Sequence, residues 1–322
     1  MKVNKKVIIN SILAIVIYAV VMVLINTGLL NRQLTSLIVP VCTYVIMAVS
    51  LCLVVGFLGE LSLGHAGFMS VGAYVGALFL INTNLPKYVG LILAIIIGGL
   101  AAALMGALIG IPVLRLKGDY LAIVTLGFGE IIKSIVNSMT GITGGAKGLS
   151  KIPLYTTYKD FTLVYIIVIL VIVVVAHLVN SRHGRAICAI RDNYIAAEAV
   201  GVPVSKFKIM AFVIGAFMAG VAGVIYACNI GILKPVNFDY NTSIEVLVMV
   251  VLGGMGSIKG SIIAAVILTL LPEILRGAAD YRMLIYAIVL IVLMIFNNSP
   301  LKKRMVEKKN MREAVKIQKE AQ

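Results

Sequence analysis

The sequence predicts an all-α polytopic membrane protein with about ten transmembrane helices. Of its 322 residues, 61% are hydrophobic and only 13% are charged, and the mean hydropathy is +1.07. Soluble domains contain about 45–50% apolar and about 25% charged residues. The charged residues gather near the two chain ends and in one internal loop, leaving long apolar blocks between them. A soluble globular protein is therefore excluded.

The net charge of +15 is explained by membrane topology and not by nucleic-acid binding. Most of the excess positive charge lies in three patches: before residue 7, in residues 180–208 and after residue 301. Positive loops beside membrane spans face the cytoplasm. We therefore expect these patches to be cytoplasmic. We expect them to contact membrane lipid and not to bind nucleic acid.

Ten apolar blocks are long enough to approach the roughly 20 residues that a spanning helix needs. Two of them are weak candidates: 119–137, which contains Glu130 and Lys133, and 241–257, which is short and contains Glu245. The other eight are 7–25, 37–58, 61–81, 89–111, 162–179, 209–230, 258–276 and 281–297. The first block is longer than the apolar core of a signal peptide and lacks a small-residue cleavage site, so we expect it to be retained.

The positions of the basic residues favour ten crossings with both termini in the cytoplasm. If all ten blocks cross, then Arg115, Lys117, the loop 180–208 and the tail 301–322 all lie on the cytoplasmic side. If either of the two weak candidates alone does not cross, the tail lies outside. Small residues at helical spacing, such as the pair Gly72 and Gly76, predict close helix contacts within the membrane.

Two glycine-rich segments interrupt the apolar blocks, and we expect re-entrant or broken helices near 59–68 and 241–257. Glycine-interrupted segments at membrane depth point to a translocation pathway. The segment 59–68 is equally consistent with a tight cytoplasmic turn in which the histidine is merely hydrogen bonded. The candidate pathway residues from both segments are Gly59, Glu60, Ser62, Gly64, His65, Gly67, Gly253 and Gly254.

Two opposite charges stand three residues apart in each of two blocks: Glu130 with Lys133, and Glu273 with Arg276. Residues at this spacing lie on one helix face. We therefore expect each pair to neutralise itself, in preference to a proton relay.

The internal basic loop contains a sequence typical of a short helix, residues 184–202. Asp192 or Asn193 is suited to cap its start and Gly201 to end it. A compact helix on the cytoplasmic face would dock a soluble partner. The alternative is a helix that lies on the membrane surface.

The sequence lacks the motifs of an enzyme that hydrolyses nucleotides or uses a metal. It has no Gly-Lys dipeptide and so no Gly-x-x-x-x-Gly-Lys-Ser/Thr loop for phosphate. It has no His-Glu-x-x-His or Cys-x-x-Cys sequence, and its three histidines and four cysteines suggest neither a metal site nor a disulfide framework. We expect no cofactor, no metal and no catalytic residue.

Five motifs together resemble the LivM-type permeases of branched-chain amino acid ABC importers. The motifs lie in residues 59–77, 116–131, 143–148, 184–202 and 252–260. The resemblance spans about residues 35–297. It implies an N-terminal helix with its flank in 1–34, a permease domain in 35–300 and a basic tail in 301–322.

This resemblance implies a passive subunit, without its own ATPase site, in the bacterial cell membrane. Its implied partners are a LivH-like second permease, two cytoplasmic ATP-binding subunits and an extracytoplasmic solute-binding protein. The external loop 138–161 would help to receive the binding protein. The loop 180–208 would couple to the ATPases through Arg191, Asp192, Glu198, Ala199 and Gly201.

The implied cargo is leucine, isoleucine and valine. One alternative is the same machine importing urea, amides or other amino acids. Another is a gradient-driven secondary transporter in which Glu60, His65 or Glu130 couples to the ion. A third is a membrane scaffold that recruits acidic lipids or proteins through its basic tail.

Overall fold

A computed structural model describes residues 5–27, 31–116 and 118–275, together with 287–288 and 291. Lys117, Arg276 and the tail 301–322 lie outside the described residues, as does the predicted span 281–297 apart from the three residues just named. The chain divides into two compact units, residues 1–269 and 270–322. The first unit holds nearly all of the described structure.

The described chain is helical, as predicted. Its described residues also contain one isolated antiparallel β-bridge, between Leu149 and Leu233. Its twelve α-helices are α1 (Lys5–Asn26), α2 (Arg32–Leu51), α3 (His65–Asn82), α4 (Lys87–Val113), α5 (Asp119–Ser138), α6 (Thr140–Thr143), α7 (Phe161–Asn180), α8 (Arg182–Asp192), α9 (Tyr194–Ala199), α10 (Val204–Ile230), α11 (Tyr240–Gly253) and α12 (Ile258–Ile274). A π-helical segment, Cys52–Leu58, continues α2. Short 3₁₀ turns occupy Gly145–Lys147, Tyr158–Asp160 and Pro235–Phe238.

Six helices in the described part of the chain are long and apolar enough to cross a membrane. They are Arg32–Leu58, His65–Asn82, Lys87–Val113, Asp119–Ser138, Tyr158–Asn180 and Val204–Ile230. This confirms a polytopic membrane protein. The predicted block 241–257 contains only the 14-residue α11, which at 1.5 Å per residue is about 21 Å long, short of the roughly 30 Å hydrocarbon layer.

Three helices, α3, α4 and α10, pack through glycines, and these close contacts form the centre of the bundle. A Cβ atom added to Gly220 would lie 2.9 Å from the carbonyl oxygen of Gly98 and 3.1 Å from the Cα atom of Gly99. A Cβ atom added to Gly106 would lie 2.6 Å from the Cβ atom of Ala216. Lipid is as apolar as the side chains of these helices, so the hydrophobic effect does not drive them together. Close packing of the backbones at the glycines stabilises the bundle in its place.

The first helix lies along α7. Tyr18 stacks on Phe161 with the ring centroids 6.0 Å apart, and the Tyr165 hydroxyl donates a hydrogen bond to the Ala14 carbonyl at 2.8 Å. Much of the remaining surface of α1 is exposed and apolar, including Ile15 and Val23. These exposed faces are suited to lipid contact.

Candidate translocation and coupling site

The first glycine-rich segment follows the π-helical continuation of α2. All seven residues of Cys52–Leu58 are buried. The segment ends at Gly59, which has φ +80°, and the Glu60 N–H donates to the Val54 carbonyl at 3.2 Å. A left-handed conformation is easily adopted only by glycine. The chain then runs without regular structure to Gly64, so the predicted break is present here.

Glu60, a predicted pathway residue, forms an ion pair with Lys208 on α10. The two side chains are only 13% and 10% exposed. A buried charge needs a partner of opposite sign. The sequence analysis places Lys208 with the basic patch and misses this pair, because 148 residues separate the two positions.

His65 begins α3 and is fully buried. Its Nε2 atom lies 2.9 Å from Ser50 Oγ, while the Ser50 hydroxyl donates to the Met47 carbonyl at 2.9 Å. Since the hydroxyl has one hydrogen, His65 Nε2 is the donor to Ser50. The neutral ring therefore leaves Nδ1 as an acceptor.

Three buried polar atoms find no hydrogen-bond partner among the described residues: Ser62 Oγ, His65 Nδ1 and Ser70 Oγ. The three residues belong to one stretch of chain at the start of α3. Leaving such an atom unpaired costs about 1–3 kcal/mol. The start of α3 is therefore suited to a polar guest.

The start of α3 is held between α5 and α11. The Leu63 N–H donates to Thr125 Oγ1 at 3.0 Å, and the Ala66 N–H donates to Ser243 Oγ at 3.0 Å. Gly67 lies against Gly129, since an added Cβ atom would be 3.0 Å from the Gly129 Cα atom. Thr125 and Ser243 are two functional candidates that the sequence analysis misses.

The second glycine-rich segment packs against the π-helical segment. Gly253 ends α11, and Gly254 and Gly256 have φ values of +93° and +81°. A Cβ atom added to Gly56 would lie 2.5 Å from the backbone nitrogen of Gly256. The structure therefore brings the two predicted glycine-rich segments into contact.

The predicted cytoplasmic helix, capped at Asp192 or Asn193 and ended by Gly201, is α9, and the residues before it form a separate helix, α8. The break lies at Asn193, which has an extended backbone with φ −160°. Its Oδ1 atom accepts hydrogen bonds from the N–H groups of Ile195 and Ala196, both at 3.1 Å. Asn193, of the two predicted caps, therefore starts α9, and Gly201 follows its end with φ +84°.

The five predicted coupling residues divide into two groups. Glu198, Ala199 and Gly201 are exposed on and just after α9. Arg191 contacts its own chain, since Nη1 donates to the Gly56 carbonyl at 3.1 Å. Its Nε and Nη2 atoms donate to Asp192 Oδ1 at 3.0 and 2.8 Å.

The predicted pair of Glu130 and Lys133 is present, with 3.3 Å between Glu130 Oε2 and Lys133 Nζ. Lys133 lies closer to Asp239, at 2.6 Å, and the Tyr240 N–H donates to Glu130 Oε1 at 3.1 Å. The Lys133 hydrogen bond is the main cause that lowers the pKa of Asp239 below its usual 3.8. This network fastens the start of α11 to α5.

Other charged candidates give no site. Glu273 lies in α12, but its predicted partner Arg276 is outside the described residues. Within the described ranges, no three His, Cys, Asp or Glu side chains come together as metal ligands.

Several membrane-spanning helices, interrupted by a buried segment of glycines and paired polar groups, define a multi-pass membrane protein of the permease class. Residues 33–296 match the family described as "Branched-chain amino acid transport system / permease component". The chain belongs to this family of transport permeases.

Three relatives illustrate the similarity. The chain is 37% identical over 284 residues to the high-affinity branched-chain amino acid transport system permease protein LivM of Escherichia coli K12, with 79% of this chain and 66% of the relative covered. It is 29% identical to a probable LivM of Methanocaldococcus jannaschii, over 60% of this chain and 59% of the relative. It is 23% identical to the fructose import permease protein FruG of Bifidobacterium longum, over 89% and 90%.

The chain thus spans slightly less than two thirds of the Escherichia coli relative's length. No solved structure matches the chain significantly.

Proposed function

We propose that this chain is the membrane-spanning permease subunit of an ABC importer that carries leucine, isoleucine and valine into the cell. The observation that carries this proposal is the family match over residues 33–296. The 37% identity to a high-affinity branched-chain amino acid permease supports the choice of cargo.

The chain works with separate subunits that supply energy and deliver the solute. The absence of any Gly-Lys dipeptide from the sequence supports an external source of ATP hydrolysis. The partners are a LivH-like second permease, two cytoplasmic ATP-binding subunits and an extracytoplasmic solute-binding protein. The complex lies in the bacterial cell membrane, with the N-terminus and the loop 180–208 of this chain cytoplasmic.

The coupling surface of this proposal is α9 with its flanks. Glu198, Ala199 and Gly201 are exposed there, and the neighbouring Ile195 and Val200 are 63% and 80% exposed. A compact helix with apolar and charged groups on its surface is suited to the groove of a soluble protein. Closure of the ATP-binding subunits moves this surface.

The translocation pathway runs beside the segment from Gly59 to Gly67 and the turn after Gly253. The unpaired atoms Ser62 Oγ and His65 Nδ1 support this position, because an amino acid carries both an ammonium group and a carboxylate.

Uptake of labelled leucine, isoleucine, valine and urea, compared between cells with and without this gene, tests the cargo. Loss confined to the three branched-chain amino acids is the expected result. Loss of urea or another solute alone would replace the cargo and keep the importer. Unchanged uptake of every solute, in a strain without a second importer of this type, would contradict the proposal.

The energy source separates this importer from a gradient-driven transporter. Uptake should persist when an ionophore removes the ion gradients while ATP is maintained, and should stop when ATP is depleted. Replacing Glu198 and Gly201 together by Ala should abolish uptake while the chain stays folded in the membrane. Intact uptake in this double variant would contradict the coupling assignment.

A second candidate is the same machine with another cargo, such as urea, an amide or another amino acid. The similarity to a fructose import permease over 89% of this chain supports it. The uptake comparison above distinguishes the two.

A further inference from the structure

We propose that Arg191 is a positioning residue that joins the coupling helices α8 and α9 to the two glycine-rich pathway segments. This inference rests on the proposed importer function. Arg191 lies two residues before the break at Asn193, and its guanidinium reaches the π-helical end of α2. The resemblance to the permease family implies that Arg191 contacts an ATP-binding subunit. In the structure, its side chain instead bonds to Gly56 of its own chain.

The acceptor of this link is a carbonyl group in the last turn of a helix. A π-helix pairs the carbonyl of each residue with the N–H five positions later. The helix ends at Leu58, so the position that would serve Gly56, residue 61, lies beyond its end. Helix ends leave their last carbonyl groups to be satisfied by other donors. Arg191 Nη1 supplies such a donor at 3.1 Å.

Glycines make room for the side chain of Arg191 on both segments. A Cβ atom added to Gly59 would lie 2.6 Å from Arg191 Cγ. A Cβ atom added to Gly256 would lie 3.3 Å from the Gly56 carbonyl oxygen and 3.4 Å from Arg191 Nη1. The aliphatic part therefore touches the first segment, and the guanidinium lies between the first and the second.

Asp192 fixes the direction of the guanidinium. Its Oδ1 atom accepts from Nε at 3.0 Å and Nη2 at 2.8 Å, while Nη1 points to Gly56. A planar group with several fixed donors can hold both acceptors at once, whereas a lysine ammonium is a single point of charge. This arrangement requires arginine.

The consequence is a direct mechanical path from the docking surface to the pathway. A displacement of α8 pulls on the end of α2, immediately before the irregular segment that starts at Gly59. It also displaces the turn that follows α11, through Gly256. ATP-driven movement then reaches both glycine-rich segments through one side chain.

The test uses the whole importer in proteoliposomes and measures leucine transported and ATP hydrolysed in the same sample. Arg191→Ala should raise the ATP hydrolysed per leucine transported about tenfold, the effect of losing one hydrogen bond to a charged group. Arg191→Lys should be intermediate. The control is Arg185→Ala on the same helix, because the Arg185 side chain is exposed and, among the described residues, donates to the nearby Asn180 carbonyl alone. Its ratio should match the unmodified protein.

An unchanged ratio in Arg191→Ala, or a proportional fall in transport and hydrolysis, would overturn the inference. The proportional fall would mean that Arg191 serves docking. Should Arg191→Ala not assemble, Asp192→Asn gives a second variant, since Asp192 is 67% exposed and accepts the two hydrogen bonds that orient the arginine. It should raise the ratio in the same direction by a smaller factor, and an unchanged ratio would again overturn the link.

A second measurement does not depend on the cargo. ATP binding to the unmodified complex should change backbone hydrogen exchange in residues 56–64. This change should disappear in Arg191→Ala and persist in Arg185→Ala. If leucine is not transported but the exchange results hold, the proposed cargo fails and the link stands. If the exchange response survives in Arg191→Ala, the link fails.

Discussion

The ion pair between Glu60 and Lys208 places two opposite charges where little water reaches them. The side chains are 13% and 10% exposed. In such a site, removing one partner leaves an uncompensated charge, which is more harmful than removing both. The pair therefore holds the irregular segment after Gly59 against α10.

Glu60→Gln should destabilise the chain by about 3–5 kcal/mol, because Lys208 is left buried without its partner. The double variant Glu60→Gln with Lys208→Met should regain most of this loss. The measurement is the melting temperature of the complex in detergent. Glu198→Gln is the control, since Glu198 is exposed and its change should leave the melting temperature unaltered. Equal destabilisation by single and double variants would contradict the argument.

Gly59→Ala should also destabilise the chain. The left-handed conformation at φ +80° costs a residue with Cβ about 1–2 kcal/mol, and the added atom would press on Arg191 Cγ. Gly127→Ala, in α5, is the matched control: an added Cβ there meets nothing within 4 Å. It should be neutral or slightly stabilising, because alanine favours helix. Melting temperatures that fall equally in both variants would refute this distinction.

Sequence alone identified Glu60 and His65 because glycines, a charge and an imidazole are unusual among apolar blocks. It could not identify the partner of Glu60, or that of the backbone N–H group next to His65. Lys208 lies 148 residues from Glu60, and Ser243 lies 177 residues from the backbone group that it accepts from. Pairings of this kind depend on how helices pack, and helix packing in lipid is poorly encoded by the apolar pattern.

Among the helices, α11 depends on a carboxylate at its start. Asp239 accepts a hydrogen bond from the Tyr240 N–H at 2.8 Å and from Lys133 at 2.6 Å. Both bonds are stronger to the ionised form, so the pKa of Asp239 is lowered, chiefly by Lys133. A lowered pKa stabilises the fold above the usual carboxyl pKa and loses this effect as the pH falls.

The stability difference between the unmodified chain and Asp239→Asn should therefore depend on pH. It should be constant from neutral pH down to about 4, the usual carboxyl pKa. It should then shrink as the pH falls through the lowered value. Thermal unfolding of both proteins over this pH range provides the measurement. A difference that grows towards acid pH would show that the sign is wrong.

The contact between α10 and its neighbours predicts a second effect at the level of helices. Gly220→Val should destabilise the chain by about 1–3 kcal/mol, since the added atoms would meet Ala102 and the Gly98 carbonyl. Gly127→Val is the matched control in another helix, where the added atoms have open space. Detergent melting curves compare the two. A similar loss in both would mean that valine acts through helix propensity and not through packing.

Element boundaries were predicted where glycine, proline and charge punctuate the apolar pattern. The break near residue 59 is such a case. In the basic loop, the cap at Asn193 was predicted and starts α9, whereas the separate helix α8 before it, whose cap is Ser181, was not predicted. The short α11 agrees with the broken segment expected near 241–257, because Gly253 ends the helix.

For the molecule as a whole, the positive charges predict which loops face the cytoplasm. Ser150 and Glu198 are both exposed, and the 20-residue α7 separates the loops that carry them. In a variant whose four cysteines are replaced, Ser150→Cys should react with a membrane-impermeant maleimide on intact cells. Glu198→Cys should react only after the membrane is opened. The reverse pattern would invert the proposed orientation.

Composition and charge were sufficient to identify a multi-pass membrane protein, because lipid imposes its requirement on every spanning residue. The number of crossings was harder to predict. Among the described residues six helices meet the length and hydropathy of a span, whereas the sequence suggested ten blocks over the whole chain. The 17-residue α12 is slightly shorter than the roughly 20 residues that a spanning helix needs, and it is not among the six.

The glycine contacts among α3, α4 and α10 determine which helices can separate during transport. Backbones touch across these three helices, whereas the opposite side of α3 faces α5 and α11 and combines the close approach of Gly67 and Gly129 with hydrogen bonds. There the attachment of the irregular segment and α3 includes two hydroxyl groups, Thr125 and Ser243. Each such bond contributes about 0.5–1.5 kcal/mol net, because water offers a replacement partner when the bond is broken. The side of α3 that faces α5 and α11 is therefore held partly by contacts that water can replace, and the glycine-packed side is not.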